Sequence, residues 1–328
     1  MQSIFNIQSQ EDFRQQCIAT FHYQYQHVEI YQKFVDYLQI DPLFVYHLED
    51  IPFLPIEMFK KHKILSSEVQ SENYFQSSGT TEITNKSRHF LSDFNLYEES
   101  ISKSFTQFIG DPKEFIFLGL LPNYSENPHS SLIYMVDFLM KKSNKIENGY
   151  FLYNHSELYN LLKRLNIENK KIILFGVSFA LLDFIDFCKE NQLSSQFPNL
   201  TILETGGMKG RKKEMTKDEL LNILKNEFGT EKIFSEYSMT ELLSQAYSLG
   251  ENQYLCPNWM RILIRNLDDP FSYVQNGKSG AINIIDLANR FSCSFIATQD
   301  LGKIENGKFQ VLGRVDYSDI RGCSLLVS

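Results

Sequence analysis

A hydroxyl-rich segment near residue 80 has the composition of a phosphate-binding loop. Ser77, Ser78, Thr80 and Thr81 surround Gly79. Hydroxyl groups, and backbone N–H groups that a glycine leaves accessible, are donors suited to phosphate oxygens. The segment does not match the GxxxxGK[ST] pattern of a P-loop. Its composition alone also fits an ordinary polar turn, so the prediction of a phosphate site depends on the rest of the chain.

Two further segments lie at the ends of apolar runs that are typical of buried strands. Gly206 and Gly207 come directly after one such run, and paired glycines let a planar group pack against the backbone. Tyr237, Thr240 and Glu241 lie at the end of the next run. Their ring, hydroxyl and carboxylate could stack a base, bind a phosphate and hold a magnesium ion. Each segment alone also fits a plain strand-to-helix turn.

An aspartate and an arginine complete the set nearer the C-terminus. Asp300, in Thr-Gln-Asp-Leu-Gly, can accept hydrogen bonds from both hydroxyls of a ribose. Arg314, in Gly-Arg-Val-Asp, can donate to the same sugar or to a phosphate. Each residue alone also fits a turn whose polar groups are already hydrogen-bonded, or a surface ion pair. The functional prediction therefore depends on the order of all five segments.

Between residues 95 and 237, apolar runs alternate with helical patterns, which predicts βαβ units and a mainly parallel sheet. The strand-like runs are Phe115–Leu121, Tyr150–Tyr153, Lys171–Val177, Leu200–Glu204 and Ile233–Tyr237. The helical patterns are Asn95–Phe108, Ser131–Lys142, Glu157–Leu165, Leu181–Glu190 and Lys217–Phe228. Ligands of open α/β sheets bind beyond the carboxyl ends of the strands, which is where the glycine pair and Tyr237 lie.

The two ends of the chain differ from this central part. Residues 13–38 carry apolar side chains at helical spacing, and Ser9 with Asp12 predicts the start of that helix. After residue 259, apolar runs follow one another without helices between them, which predicts antiparallel strands. We therefore expect an α/β fold with a β-rich C-terminal part. Residues 1–70 are expected to form a helical segment packed on a main domain of residues 71–328.

Composition excludes several classes of function. The 32 basic and 40 acidic residues give a net charge of −8, so nucleic acid is not an expected partner. The longest uncharged apolar stretch, Ile172–Leu182, has eleven residues, short of the roughly 20 that cross a bilayer. Five widely spaced cysteines without a CxxC pair indicate a reducing compartment. These observations predict a soluble cytoplasmic protein with no membrane span.

The series of segments resembles that of the adenylate-forming enzymes, the acyl-CoA synthetase and luciferase superfamily. Ser-Ser-Gly-Thr-Thr is followed by Gly-Gly, Tyr-x-x-Thr-Glu, Asp-Leu-Gly and Gly-Arg-x-Asp within residues 50–328. Within that superfamily, four segments are similar to the LuxE-type acyl-protein synthetases: 51–60 (IPFLPIEMFK), 130–137 (SSLIYMVD), 204–211 (ETGGMKGR) and 319–325 (DIRGCSL). The resemblance implies the large N-terminal domain of an adenylate-forming enzyme, without most of the small C-terminal domain.

The resemblance also implies a role for each matching residue. The residues that would hold the β- and γ-phosphates of ATP are Ser77, Ser78, Gly79, Thr80 and Thr81. The glycines that would border the adenine and acyl pockets are Gly206 and Gly207. Tyr237 would stack on adenine, Thr240 would contact the α-phosphate, and Glu241 would bind Mg²⁺. Asp300 and Arg314 would hold the ribose.

The implied reaction converts a carboxylic acid, of the fatty acid class, to acyl-AMP and then to a thioester on a protein cysteine. Cys323 matches the acyl-accepting cysteine of the LuxE-type enzymes. It equally fits a small apolar side chain that is buried in the core. Asp316 matches the hinge of the small domain, and twelve residues follow it. Without the lysine that this domain supplies in most relatives, either adenylation is slow, or a partner or another lysine such as Lys209 supplies the charge. An acyl reductase or a carrier protein is the expected partner.

Several departures keep other interpretations open. Glu82, Ser238 and Gln299 stand where the superfamily usually has glycine. The chain could therefore be a non-catalytic acyl- or nucleotide-binding subunit of a reductase-type complex. It could also be an acyl or aryl ligase that delivers to coenzyme A or to a carrier protein.

Three further side chains near the predicted phosphate loop have open roles. His129 lies near the position of a gating histidine in relatives, and it fits a surface loop as well. Arg88 and His89 either contact phosphates or simply end a strand.

Overall fold

The computed structural model describes residues 3–78, 86–123, 125–206 and 215–314. The α-helices in these residues are α1 (Gln10–His27), α2 (Glu29–Tyr37), α3 (Met58–Lys61), α4 (Asn95–Phe108), α5 (Ser131–Ser143), α6 (His155–Ile167), α7 (Ser178–Glu190) and α8 (Lys217–Phe228). Short 3-10 turns lie at Ile4–Asn6, Pro42–Phe44, Leu48–Asp50, Pro112–Glu114 and Leu287–Asn289.

The strands belong to one large sheet and one small one. They are β1 (Leu54–Pro55), β2 (Tyr74–Gln76), β3 (Arg88–Phe90), β4 (Ile116–Leu120), β5 (Gly149–Tyr150), β6 (Ile172–Gly176), β7 (Leu200–Glu204), β8 (Ile233–Tyr237), β9 (Ala246–Ser248), β10 (Tyr254–Leu255), β11 (Met260–Arg265), β12 (Ser279–Asp286), β13 (Phe295–Glu305) and β14 (Lys308–Arg314). In the large sheet the order is β11-β12-β13-β14-β10-β9-β8-β7-β6-β4-β5, with β1 paired to β13, whereas β2 and β3 pair separately.

The parallel half of the large sheet consists of β4, β5, β6, β7 and β8. Every residue of β4, β6 and β7 is buried, because helices cover both faces. Side chains alternate between the faces: Phe175 packs in one apolar cluster with α4 and α5, and Leu174 packs in another with α6, α7 and α8. This arrangement brings the carboxyl ends of β7 and β8 to the same edge.

The strands from β9 to β14 pair antiparallel with one another. β9 also pairs antiparallel with β8, the strand at the border of the parallel half. β13 has eleven residues and also pairs parallel with β1. The predicted α/β fold with a β-rich C-terminal part is confirmed.

The structure differs from the sequence prediction at several elements. The segment Thr298–Gly302, expected as a loop after a strand, lies within β13. The helix expected over residues 13–38 is interrupted at Val28, whose extended backbone (φ −112°, ψ 95°) separates α1 from α2. A β-branched residue adopts that conformation readily, and helical periodicity on both sides hides the break. The strand expected at Tyr150–Tyr153 is shorter and begins one residue earlier, as β5 (Gly149–Tyr150). The Phe151 side chain packs in the apolar cluster beside α6.

The N-terminal helices contact the antiparallel half directly. The buried Gln24 of α1 donates from Nε2 to the carbonyl oxygens of Asn289 (3.1 Å) and Arg290 (2.9 Å), and its Oε1 accepts from the Ser294 amide (3.0 Å). Among the described residues, no helix combines the length and apolar character that a bilayer crossing requires.

Candidate active site

Three of the predicted site residues meet at the junction of the two halves of the sheet. Tyr237 ends β8, Asp300 lies within β13, and Arg314 ends β14 directly opposite Asp300. The Tyr237 hydroxyl donates to Asp300 Oδ2 at 2.9 Å, and Arg314 Nε donates to Asp300 Oδ1 at 3.0 Å. Asp300 is buried while 64% of the Arg314 side chain is exposed, so the group opens to solvent at its guanidinium end.

The Tyr237 ring is held in place by aromatic contacts. It packs edge-on against Phe309 (5.4 Å between ring centres) and Tyr254 (5.9 Å). Burial, followed by the charge of Asp300, raises the pKa of the phenol well above its ordinary value. Tyr237 is therefore a fixed hydrogen-bond donor, which orients the Asp300 carboxylate.

The loop after β8, which carries Thr240, is fixed by a histidine. His89 is fully buried in β3, with Nδ1 3.1 Å from the Thr240 carbonyl oxygen and Nε2 2.7 Å from the Ser292 hydroxyl. Burial lowers the pKa of His89 to about 4, so the ring is neutral at pH 7. Because a carbonyl only accepts, Nδ1 carries the proton and Nε2 accepts from Ser292. His89 thus positions Thr240 instead of ending a strand at the surface, and the exposed Arg88 packs over the Tyr74 ring (5.2 Å).

Two residues that the sequence analysis missed hold the rest of this loop. The buried Asp286 accepts from the backbone amides of Leu243 and Ser244, both at 2.9 Å. Asn289 donates from Nδ2 to the Glu241 carbonyl oxygen at 2.7 Å. Contacts at such sequence separation leave no local signal, although an aspartate and an asparagine three residues apart, as at Asp286 and Asn289, are typical of a turn.

Glu241 is a buried carboxylate in the neighbourhood of two basic side chains. Burial raises its pKa, while the Ser87 hydroxyl and the charges of Lys60 and Arg314 lower it. Magnesium takes oxygen ligands and commonly uses only one or two protein carboxylates together with substrate phosphates, so Glu241 fits that role. No group of three or more His, Cys, Asp or Glu among the described residues could hold a metal ion without such a substrate.

The predicted phosphate loop connects the two strands of a hairpin. Ser77 donates its amide to the Ser87 carbonyl oxygen (3.0 Å), and the Ser87 amide donates to Ser77 Oγ (3.1 Å). Ser78 is exposed beyond this pair. Of the predicted phosphate ligands, those that lie outside the described residues are Gly79, Thr80 and Thr81.

His129 lies beside the strand that leads into this loop. Its ring stacks on Tyr74 with 4.4 Å between ring centres, and its carbonyl oxygen accepts from the Gln76 amide at 2.8 Å. The ring is exposed, so His129 sits on the hairpin surface next to the loop entrance.

The first glycine of the Gly-Gly pair is tied to a buried carboxylate. Gly206 has a φ of +77° and donates its amide to Glu204 Oε1 at 2.8 Å. The Ser178 hydroxyl donates to the same oxygen, and the Lys217 ammonium group donates to Oε2. Burial alone would lower the pKa of Lys217, but the Glu204 charge and Tyr254 outweigh it and the pKa is raised. Sequence reasoning missed this pair, because nothing local links a strand end to a helix start.

The glycine replacements in two loops cause no backbone strain. Ser238 and Gln299 are absent from the described non-glycine residues with positive φ, and Gln299 lies in extended backbone within β13. The remaining predicted site residues lie outside the described residues: Gly207, Lys209, Asp316 and Cys323.

Comparison with solved structures shows the same fold in adenylate-forming ligases. A 2-hydroxyisobutyryl-CoA ligase in an open conformation with 2-HIB-AMP and CoA matches with a TM-score of 0.69 at 12% identity, over 94% of this chain and 70% of that one. ATP-bound MatB from Rhodopseudomonas palustris matches with a TM-score of 0.55 at 13% identity, over 75% of this chain and 49% of that one. A comparison with curated proteins gives no significant match.

A family model supplies the sequence relationship that these distant structures lack. The model of the LuxE acyl-protein synthetases matches residues 5–328, which is nearly the whole chain. The chain therefore belongs to the LuxE acyl-protein synthetase family of adenylate-forming ligases.

Proposed function

We propose that this protein uses ATP to activate a fatty acid as acyl-AMP and then transfers the acyl group to a protein cysteine. Membership of the acyl-protein synthetase family supports acyl-adenylate formation. The choice of a fatty acid, and of a protein thiol as acceptor, is the part that we propose. An acyl reductase or a carrier protein would then receive the acyl group.

The convergence of Tyr237, Asp300 and Arg314 from three strands carries this proposal. Their hydrogen-bonded chain joins a ring, a carboxylate and an exposed guanidinium at one edge of the sheet. A ring can stack on adenine, a carboxylate can accept from ribose hydroxyls, and a guanidinium can donate to sugar or phosphate oxygens. These are the groups that AMP requires.

The reaction has two steps. A carboxylate oxygen of the acid attacks the α-phosphorus of ATP, and the bond to pyrophosphate breaks. A cysteine thiolate then attacks the acyl carbon, and AMP leaves with the electron pair of the mixed anhydride. The first step brings together groups of like charge, so donors near the α-phosphate lower its barrier.

We assign the protein's contribution to the first step to the loop after β8 and to Arg314. Thr240, held through its carbonyl by His89, would direct its hydroxyl to the α-phosphate. Arg314 would stabilise the developing negative charge. A magnesium ion bound by Glu241 would supply charge neutralisation at the phosphates.

We propose Cys323 as the acyl acceptor, and a cytoplasmic location that keeps it reduced. The other four cysteines are free thiols, and Cys17, Cys188 and Cys293 are buried. Burial raises the pKa of each of these thiols, to about 11 for Cys188 and to about 12 for Cys256 and Cys293. Thiols of that kind are poor nucleophiles at neutral pH, and the choice of Cys323 rests on its match to the acyl-accepting cysteine of the LuxE-type enzymes.

The test is acyl transfer from a radiolabelled fatty acid in the presence of ATP and Mg²⁺. We expect covalent label on the protein, released by hydroxylamine, and none on a Cys323→Ser variant that still catalyses acid-dependent ATP–pyrophosphate exchange. Label that appears only on coenzyme A or a carrier protein would overturn the acceptor assignment. ATP binding without exchange for any acid would overturn adenylation and favour a non-catalytic nucleotide-binding subunit.

A further inference from the structure

A row of buried polar side chains lies on the sheet face opposite the Glu204–Lys217 pair. Glu236 of β8 pairs in register with Tyr247 of β9, so both side chains point to the same face. The register of β7 with β8 places Thr205, one residue past the end of β7, beside Glu236 on that face. Gln245 lies two residues before Tyr247. Thr205, Glu236, Gln245 and Tyr247 are called the polar row below.

Each member of the polar row has a buried polar atom without a hydrogen-bond partner among the described residues. These atoms are Thr205 Oγ1, Glu236 Oε1, Gln245 Nε2 and Tyr247 Oη. An unpaired buried polar group costs free energy comparable to a lost hydrogen bond or more, and few occur in a native protein. Four on three neighbouring chain segments indicate a missing hydrogen-bonding group.

Helix α4 packs against two members of the polar row, Gln245 and Tyr247. The Ser104 hydroxyl lies 2.8 Å from the Ser100 carbonyl oxygen and 3.0 Å from Gln245 Oε1, while Gln245 Nε2 has no partner among the described residues. The ring of Tyr247 packs against Phe105 and Phe108 of the same helix. The row therefore offers a buried carboxylate acceptor and a buried amide donor.

The polar row lies next to the predicted nucleotide site. Glu236 immediately precedes Tyr237, and Thr205 immediately precedes Gly206, the glycine expected between the adenine and acyl pockets. A group joined to the α-phosphate through an acyl bond would extend from this edge along one face of the sheet. The face with Glu204 and Lys217 is occupied by their ion pair, which leaves the face of the polar row.

We propose that the acid activated here carries a hydroxyl group on its acyl chain, bound between Glu236 and Gln245. This rests on the proposed adenylating function and refines its substrate from an alkyl acid to a hydroxylated one. A hydroxyl donates one hydrogen bond and accepts others, so it can donate to Glu236 Oε1 and accept from Gln245 Nε2. A plain alkyl chain would leave both atoms unpaired. Sites built to bind a substrate hydroxyl discriminate strongly against analogues that lack it.

The charge state of Glu236 is compatible with this pairing. Burial raises its pKa to about 7, with a further increase from Glu204 and opposing effects from Ser238 and Lys217. Burial, followed by the charge of Glu236, raises the pKa of Tyr97 and of Tyr247. A hydroxyl can pair with either the ionised or the protonated carboxyl group, whereas an alkyl chain pairs with neither.

The experiment is acid-dependent ATP–pyrophosphate exchange with length-matched pairs of acids, such as octanoate and its 2-, 3- and 4-hydroxy derivatives. We expect kcat/KM for at least one hydroxy acid to exceed that of the matched alkyl acid by tenfold or more. Glu236→Met should reduce that ratio to within about threefold of unity, since the acceptor is replaced by a thioether of similar size. The remote, exposed Lys171→Met variant should leave the ratio unchanged.

A second variant keeps the test decisive if Glu236→Met does not fold. Gln245→Leu removes the amide donor and should lower the same ratio. Exchange that is equal for both members of every pair, or faster for the alkyl acids, would overturn the hydroxy-acid proposal and leave adenylation standing. If none of the acids supports ATP–pyrophosphate exchange, that result would instead contradict the adenylating function on which the proposal rests.

Discussion

Two buried glutamates one strand apart have opposite surroundings. Glu204 of β7 receives hydrogen bonds from Ser178, Gly206 and Lys217, and both of its oxygens are engaged. Glu236 of β8 points to the other face, and its Oε1 has no partner in the described part of the chain. Burial is similar, at 0% and 6% exposed. Glu204 is therefore held by its three partners, whereas Glu236 keeps one buried oxygen without a partner among the described residues.

The largest effect should come from breaking the paired side. Lys217→Met leaves Glu204 as an uncompensated buried charge, which costs about 3 kcal/mol or more of unfolding free energy. Urea denaturation followed by circular dichroism measures it. Adding Glu204→Gln to that variant should recover part of the loss. If the single variant is as stable as the wild type, the ion pair does not hold the loop.

The unpaired side should appear in the pH dependence of stability. The pKa of Glu236 is about 7, against an ordinary value of 4.5, so the folded state binds its proton more tightly than the unfolded chain does. The stability from this proton is fully present below pH 4.5 and is lost as the pH rises through about 7, by up to about 3 kcal/mol. Glu236→Gln should therefore gain stability over the wild type as the pH increases.

Comparing the two proteins at each pH separates Glu236 from other groups. Burial also raises the pKa of Asp286, to about 6, and that of Glu241, so the wild-type profile combines several carboxyl groups. The difference between Glu236→Gln and the wild type cancels them. A difference that stays constant from pH 5 to pH 8 would show that Glu236 titrates normally.

Hydroxyl deletions on the two faces sharpen the comparison at smaller scale. Ser178→Ala removes a donor to the Glu204 carboxylate and should cost about 1.5 kcal/mol in urea denaturation. Tyr247→Phe removes a hydroxyl that has no partner among the described residues, so stability should change by less than about 0.5 kcal/mol or rise. Equal losses in the two variants would mean that the two faces are paired alike.

An exposed ion pair sets the lower end of the scale. Lys171 and Glu114 lie 2.6 Å apart, with side chains 62% and 53% exposed. Lys171→Met should change the unfolding free energy by less than about 1 kcal/mol, because solvent screens such pairs. A larger loss would mean that the effect of Lys217→Met reflects general charge removal and not burial.

Local patterns predicted the elements and the loops but not the contacts between them. The bounds of α4, α8, β7 and β8 were predicted to the residue; a capping box and Gly229 mark α8, and a continuous apolar run marks each strand. The meeting of Tyr237, Asp300 and Arg314 was expected only from the resemblance to adenylate-forming enzymes, and Asp300 lies within β13 and not at a strand end. His89 binding Thr240, Asp286 holding Leu243, and Lys217 pairing with Glu204 depend on tertiary packing. Sequence separation hides such pairs, since either partner alone looks like an ordinary polar residue.

Acid-dependent ATP–pyrophosphate exchange tests most directly whether this edge of the sheet adenylates a carboxylic acid. We predict exchange that requires both Mg²⁺ and an acid and that falls at least a hundredfold in Glu241→Gln and Arg314→Met, as expected when a group that stabilises transition-state charge is removed. The Lys171→Met variant should exchange like the wild type. Exchange that is unaffected by both site variants, or ATP bound tightly but never exchanged with any acid, would contradict the account.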